Sequence, residues 1–287
     1  MLPCKTCDRS VKLMAAGGVI ISVLLSLSLL APLVAPFDPL AQNLPASLSS
    51  PGDNCLFGTD SLGRDVFSRV IYGSRISLAV GIIVLTLTAL VGTVLGTAAG
   101  YCGGIVDATI MRLSDVLMAF PPLVLAMIAM AFMGPGLGNL IGILVVIRWP
   151  QFARLVRGQV ISVKNRTFVD AAGVSGTGAI GVMVKHILPN CFAPVIAYGT
   201  MSIGAIIVDE TALSFLGLGI QPPDPSWGVM LADAKNYITT APWLVIFPGL
   251  FIMVTIFGFN LFGDGLGYLL NPRQDERNGV NYGNIEG

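Results

Sequence analysis

The chain has 287 residues, of which 54% are hydrophobic and only 11% charged, against roughly 25% charged in an average soluble domain. Sixteen Lys and Arg balance sixteen Asp and Glu, and the mean hydropathy is +0.80. That balance excludes a disordered chain and a nucleic-acid binder resting on net positive charge, and it leaves too much apolar surface for a soluble enzyme to hide. Lipid is the solvent, and the chain reads as an all-α, multi-pass membrane protein.

The first segment, 1–12, carries Lys5, Arg9 and Lys12 and precedes an apolar run at 13–35. At about 23 residues this run is too long for the apolar region of a signal peptide and long enough to span, so it is read as an uncleaved first transmembrane helix. Cys4 and Cys7 form a C-x-x-C pair, while Cys55, Cys102 and Cys191 are scattered. Without a second pair or a nearby histidine they make neither a disulfide framework nor a metal site. No cofactor or metal is expected.

Residues 36–75 follow as a long external segment. At its end, Val66, Phe67, Val70 and Ile71 recur at helical spacing with Asp65, Ser68 and Arg69 opposite. This is the pattern of an amphipathic helix lying on the outer leaflet. Five more apolar segments, 76–101, 108–133, 137–153, 190–216 and 242–268, approach or exceed the about 20 residues needed to cross a bilayer, giving a core of 76–268. The third carries Pro121-Pro122 together with Arg112 and Asp115, which at a spacing of three are expected to pair. The fourth ends in Arg148, Trp149 and Pro150.

Sidedness follows from basic residues, which collect in cytoplasmic loops. An inside N-terminus places twelve there, counting adjacent helix ends: Lys5, Arg9, Lys12, Arg112, Arg148, Arg154, Arg157, Lys164, Arg166, Lys185, Arg273 and Arg277. Arg64, Arg69, Arg75 and Lys235 remain outside. Both termini, including the tail 269–287, are therefore expected in the cytoplasm.

The longest internal loop, 154–189, contains Asp170-Ala171-Ala172-Gly173-Val174-Ser175-Gly176 and then His186-Ile187-Leu188-Pro189. A short helix over Phe168–Ser175 would break at Gly176. A second, Ala179–Leu188, would present Ile180, Met183, Val184 and Ile187 on one face, and Pro189 would open the fifth span. On periodicity alone the segment is either a plain bridge or a compact knob presented to a partner. Gly92, Gly96 and Gly100 form a small-residue stripe for close helix approach, within this chain or against another. Asp209 and Glu210 lie about 30 Å of helix rise beyond Pro189, at the outer boundary, and with Trp227 they are candidates for an outer gate or interface. No G-x-x-x-x-G-K-[ST] phosphate loop occurs.

The spacing of the internal loop resembles the EAA motif of prokaryotic ATP-binding-cassette importer permeases, E-A-A, three residues, Gly, nine residues, I-x-L-P. Asp170 takes the Glu place, Ala171, Ala172 and Gly176 match, His186 replaces Ile, and Leu188 and Pro189 close the pattern. Phe57–Asp65 with Gly73–Leu78, Leu213–Gly219 with Pro225–Gly228, and Phe259–Leu266 with Asn271–Arg273 are similar to segments of the dipeptide, oligopeptide and nickel permeases. Gly267-Tyr268 departs from the charged pair expected there.

The resemblance implies a fold of six transmembrane helices, like a type I importer permease, in the inner membrane. It further implies that Asp170, Ala171, Ala172, Gly176, Leu188 and Pro189 contact the ATPase, so that this chain is no enzyme. A sister permease, one or two ATP-binding subunits and an extracytoplasmic solute-binding protein would be its partners, with membrane lipid around them and no nucleic acid. The substrate would be a di- or oligopeptide, or alternatively nickel or a metal chelate. A proton-coupled secondary carrier using Asp209 and Glu210 is the reading from another class.

Overall fold

The structure is a computed structural model that describes residues 5–52, 55–169 and 178–270. Helices α1 (Lys5–Leu29) and α2 (Ala31–Val34) are followed by an extended loop and then α3 (Val66–Cys102), α4 (Gly104–Met118), α5 (Pro122–Met133) and α6 (Leu137–Lys164). Next come α7 (Ala179–Val182), a π turn at Met183–Ile187, α8 (Leu188–Phe215), α9 (Trp227–Ala234) and α10 (Trp243–Leu270). Five helices are long and apolar enough to cross a membrane, and a sixth crossing results if α4 and α5 count as one broken span. The expected all-helical membrane fold is what the chain adopts.

Helix α3 packs along α6, α1 along α10, and α8 lies between α3 and α10. The glycine stripe explains the first contact. A Cβ on Gly92 would fall 2.3 Å from the Phe152 Cβ, one on Gly96 2.4 Å from the Ala153 carbonyl oxygen, and one on Gly100 2.9 Å from Val160. The stripe therefore serves packing within this chain. The principal apolar cluster joins Val80 and Val84 of α3, Ala126 and Met130 of α5, Leu140 and Leu144 of α6, and Ile206 and Leu213 of α8.

Four expectations change. The amphipathic stretch at 66–72 is helical but does not lie on the leaflet. It is the start of a 37-residue helix, capped by the Asp65 carboxylate, which accepts from the Ser68 amide at 2.7 Å. Both of its faces are covered, since Ser68 and Arg69 are as buried as Val66 and Val70. Phe37 donates its amide to the Ser68 hydroxyl, and Asp60 and Asp233 stand beside Arg69.

The fourth span does not stop near Pro150. That proline sits buried inside α6, which continues to Lys164. One missing N–H costs a single ladder bond, and in apolar surroundings the rest of the ladder has no better alternative than helix. The loop expected at 154–189 is shortened accordingly. The third span is broken, with α4 and α5 bent by 88° at Ala119–Pro121. Asp115 does not pair with Arg112. It reaches Arg154 on α6 instead.

Candidate functional site

Two places concentrate the polar chemistry, one at each end of the bundle. The first surrounds the connection between α6 and α8. Asp170, Ala171, Ala172 and Gly176 lie outside the described residues, but both flanks of the segment are in view. Val163 and Val169 on one side and Val182, Ile187 and Cys191 on the other are all buried, together with Phe152, Val156, Val160 and Val195, in one apolar cluster. The ends of the connection are thus fastened to the same core.

Leu188 and Pro189 begin α8, with the proline in the first turn as expected. The second short helix differs from expectation. The π turn at Met183–Ile187 rotates the register, so Val182 and Ile187 are buried while Ile180 and Val184 face outward. His186 is half-buried, and its carbonyl oxygen accepts from the Asn190 side chain at 2.7 Å.

The same end is stitched by charge. Arg157 of α6 holds both carboxylate oxygens of Asp107 on α4, at 2.5 and 2.6 Å. Lys164 donates to the Tyr101 carbonyl oxygen at 2.7 Å, fixing the end of α6 to the end of α3. A cavity of about 530 Å³ opens beside these flanks, lined among others by Gln159, Arg166, Asn190, Pro194, Asp264 and Tyr268.

The second place surrounds Trp227. Here the loop 55–65 is built around Asp60. One of its oxygens accepts from the Leu62 and Arg64 amides at 2.9 and 3.0 Å, and the other from the Arg64 guanidinium at 2.6 Å. Gly63 makes this turn possible. Its φ is +72°, and a Cβ would lie 1.8 Å from the Asn43 carbonyl oxygen. Arg64 and Arg69 both also approach Asp233, at 3.3 and 3.7 Å.

Trp227 is fully buried and donates its indole N–H to the Val70 carbonyl oxygen at 3.1 Å. It is a core side chain of this chain and presents no surface. Glu210 is likewise fully buried, accepting from the hydroxyls of Ser214 at 3.0 Å and Ser77 at 3.2 Å. Asp209, the preceding residue on α8, accepts instead from two nitrogens of Arg148, at 2.9 and 2.5 Å. Arg148, counted above with the cytoplasmic helix ends, is therefore an interior partner midway along α6.

Sequence reasoning missed the Asp60–Arg64–Arg69–Asp233 network and the Arg148–Asp209 pair. The available signal was the presence of paired opposite charges in segments otherwise too apolar to leave them unmatched. Among the described residues, no group of three or more His, Cys, Asp or Glu side chains is placed to hold a metal ion.

Residues 92–276 match the family described as binding-protein-dependent transport system inner membrane component. The chain is 41% identical over 262 residues to the dipeptide transport system permease protein DppC of Alkalihalophilus pseudofirmus, covering 91% of this chain and 86% of the relative. It is 42% identical over 263 residues to the protein of the same name from Haemophilus influenzae, covering 90% and 89%. A glutathione transport system permease protein GsiD from Escherichia coli is 43% identical over 217 residues, covering 76% and 72%. The helical membrane bundle fits this relationship: the chain belongs to the binding-protein-dependent inner membrane permeases of ATP-binding-cassette importers, whose ATPase is a separate subunit.

Proposed function

We propose that the chain imports short peptides as one of two permeases in an ATP-driven complex, and that the segment Asp170–Gly176 transmits the motion of the ATPase to α6 and α8. The observation that carries the substrate class is the 41–42% identity, over nine-tenths of this chain, to permeases named for dipeptide transport. The named glutathione permease extends that class to a tripeptide. The coupling role draws support from the shared apolar cluster, because a push on either flank of the segment is passed to both helices through packed side chains.

Asp170 would offer a carboxylate to the ATPase, and Ala171, Ala172 and Gly176 would let its surface come close. Even with Arg148, Arg112 and Arg154 set aside as groups within the helices, nine basic residues against four still favour a cytoplasmic loop end and cytoplasmic termini. The Trp227 end then faces the solute-binding protein. Asp209 and Glu210 serve as internal ties of the outer half, and Trp227 as its core.

The test is Gly176→Trp in the assembled importer, assayed for ATP-dependent uptake of radiolabelled di- and tripeptides in vesicles. The variant is expected to insert, purify with its partners and melt like the parent, while uptake is lost. Normal uptake would overturn the coupling role. A parent complex that binds no ATPase, or imports no peptide, would overturn the function.

A further inference from the structure

The break between α4 and α5 sits where lipid cannot be its neighbour. The turn between α5 and α6 belongs to the Trp227 end of the bundle, since the Gly136 amide donates to the Gly219 carbonyl oxygen at 3.2 Å, just beyond α8. Helix α5 has only 12 residues, a rise of about 18 Å, so the bend at its other end falls short of the ~30 Å needed to cross the hydrocarbon. At that depth Met118, Ala119, Phe120, Pro121 and Pro122 are all exposed.

The two prolines supply no N–H, so the carbonyls of Leu117 and Met118 lose their helical donors. Irregular backbone with open carbonyls is tolerated at membrane depth only against protein or water. Charge chooses between these. Arg112 is exposed on α4, and the neighbouring Asp115–Arg154 pair has side-chain exposures of 55% and 42%. Such groups facing hydrocarbon would be costly.

We infer that the Met118–Pro122 bend, with Arg112, Asp115 and Arg154 beside it, lines the water-filled path along which the peptide crosses, closed on its far side by the second permease. The Leu117 and Met118 carbonyls would then accept from water or from the amide and ammonium groups of the passing peptide. This rests on the proposed importer function and adds to it a stretch of the path wall.

The experiment uses the assembled importer in lipid nanodiscs, with all five native cysteines replaced and a single Phe120→Cys introduced. The probe is a charged, membrane-impermeant methanethiosulfonate reagent. Val23→Cys on α1, in the apolar groove against α10, is the lipid-facing control. Because only thiolate reacts and hydrocarbon suppresses it, Phe120→Cys is expected to label at least about tenfold faster than Val23→Cys. Its rate should also change when the complex is trapped with ATP and vanadate.

Labelling no faster than the control overturns the inference. So does fast labelling indifferent to the trap, which would put the bend at a static headgroup boundary. Peptide uptake by the cysteine-free parent, measured in parallel, reports separately whether the importer function itself stands.

Discussion

At the Trp227 end, Arg64 and Arg69 are buried beside Asp60 of the 55–65 loop and Asp233 of α9, and Arg69 also donates to the Pro39 carbonyl oxygen. At the loop end the ion pairs Arg154–Asp115 and Arg157–Asp107 are partly to largely exposed, and an apolar cluster does the fastening. The same residue types thus do different work. Buried charge demands its partners and makes one end of the bundle a fixed block. Exposed pairs at the other end cost little to separate, which suits the coupling role proposed for it.

The largest loss is expected at Arg69. Its side chain is 2% exposed and faces two carboxylates while donating to the Pro39 carbonyl oxygen at 3.3 Å. Arg69→Ala empties a buried site and takes one of two guanidiniums from Asp60, which keeps Arg64 at 2.6 Å, and from the one-third-exposed Asp233. The cost is therefore the low end for breaking a buried pair, about 3 kcal/mol, and roughly 10 °C in the melting temperature of the purified complex. Arg69→Lys keeps the charge but not the fork and should fall between. A melting curve for Arg69→Ala within a degree or two of the parent would remove the distinction between the two ends.

A smaller loss is expected where α3 meets α6, the contact that joins the ends. Gly96→Leu forces a side chain against the Ala153 backbone and Val156, an overpacking worth about 1–3 kcal/mol. Gly142→Ala on the same α6 is the control, because nothing lies within 4 Å of its Cβ position and replacing a mid-helix glycine gains up to about 1 kcal/mol. Thermal unfolding in detergent should therefore shift in opposite directions for the two variants. Equal shifts would mean the stripe does not carry this helix contact.

How much of this was legible in the sequence depended on the range of the interaction. Composition and run length sufficed for a helical membrane protein, because lipid imposes helix on any long apolar segment. The glycine stripe announced a close approach but not its partner, which sits more than 50 residues away on α6. Arg64 and Asp233 are separated by 169 positions, and no local periodicity reports such a pairing. Pro150 was read as a stop because its cost in water is familiar, whereas in a bundle the ladder on either side persists. The π turn escaped notice for a related reason: a single shifted bond leaves the apolar residues in place but rotates which of them face the core.

The smallest effect is the most discriminating. Arg154 and Asp115 are each about half exposed, and a pair of that kind contributes about 0–1 kcal/mol, weakened further by salt. Arg154→Ala should therefore leave the melting temperature of the isolated chain almost unchanged at both low and high ionic strength. In the assembled importer the same small value is expected if this face borders water, since the pair then stays solvated. A loss of several kcal/mol appearing only in the assembly would mean that a neighbouring subunit buries the pair. The loop end would then resemble the Trp227 end once its partners are in place, and the contrast between the two would belong to the separate chain alone.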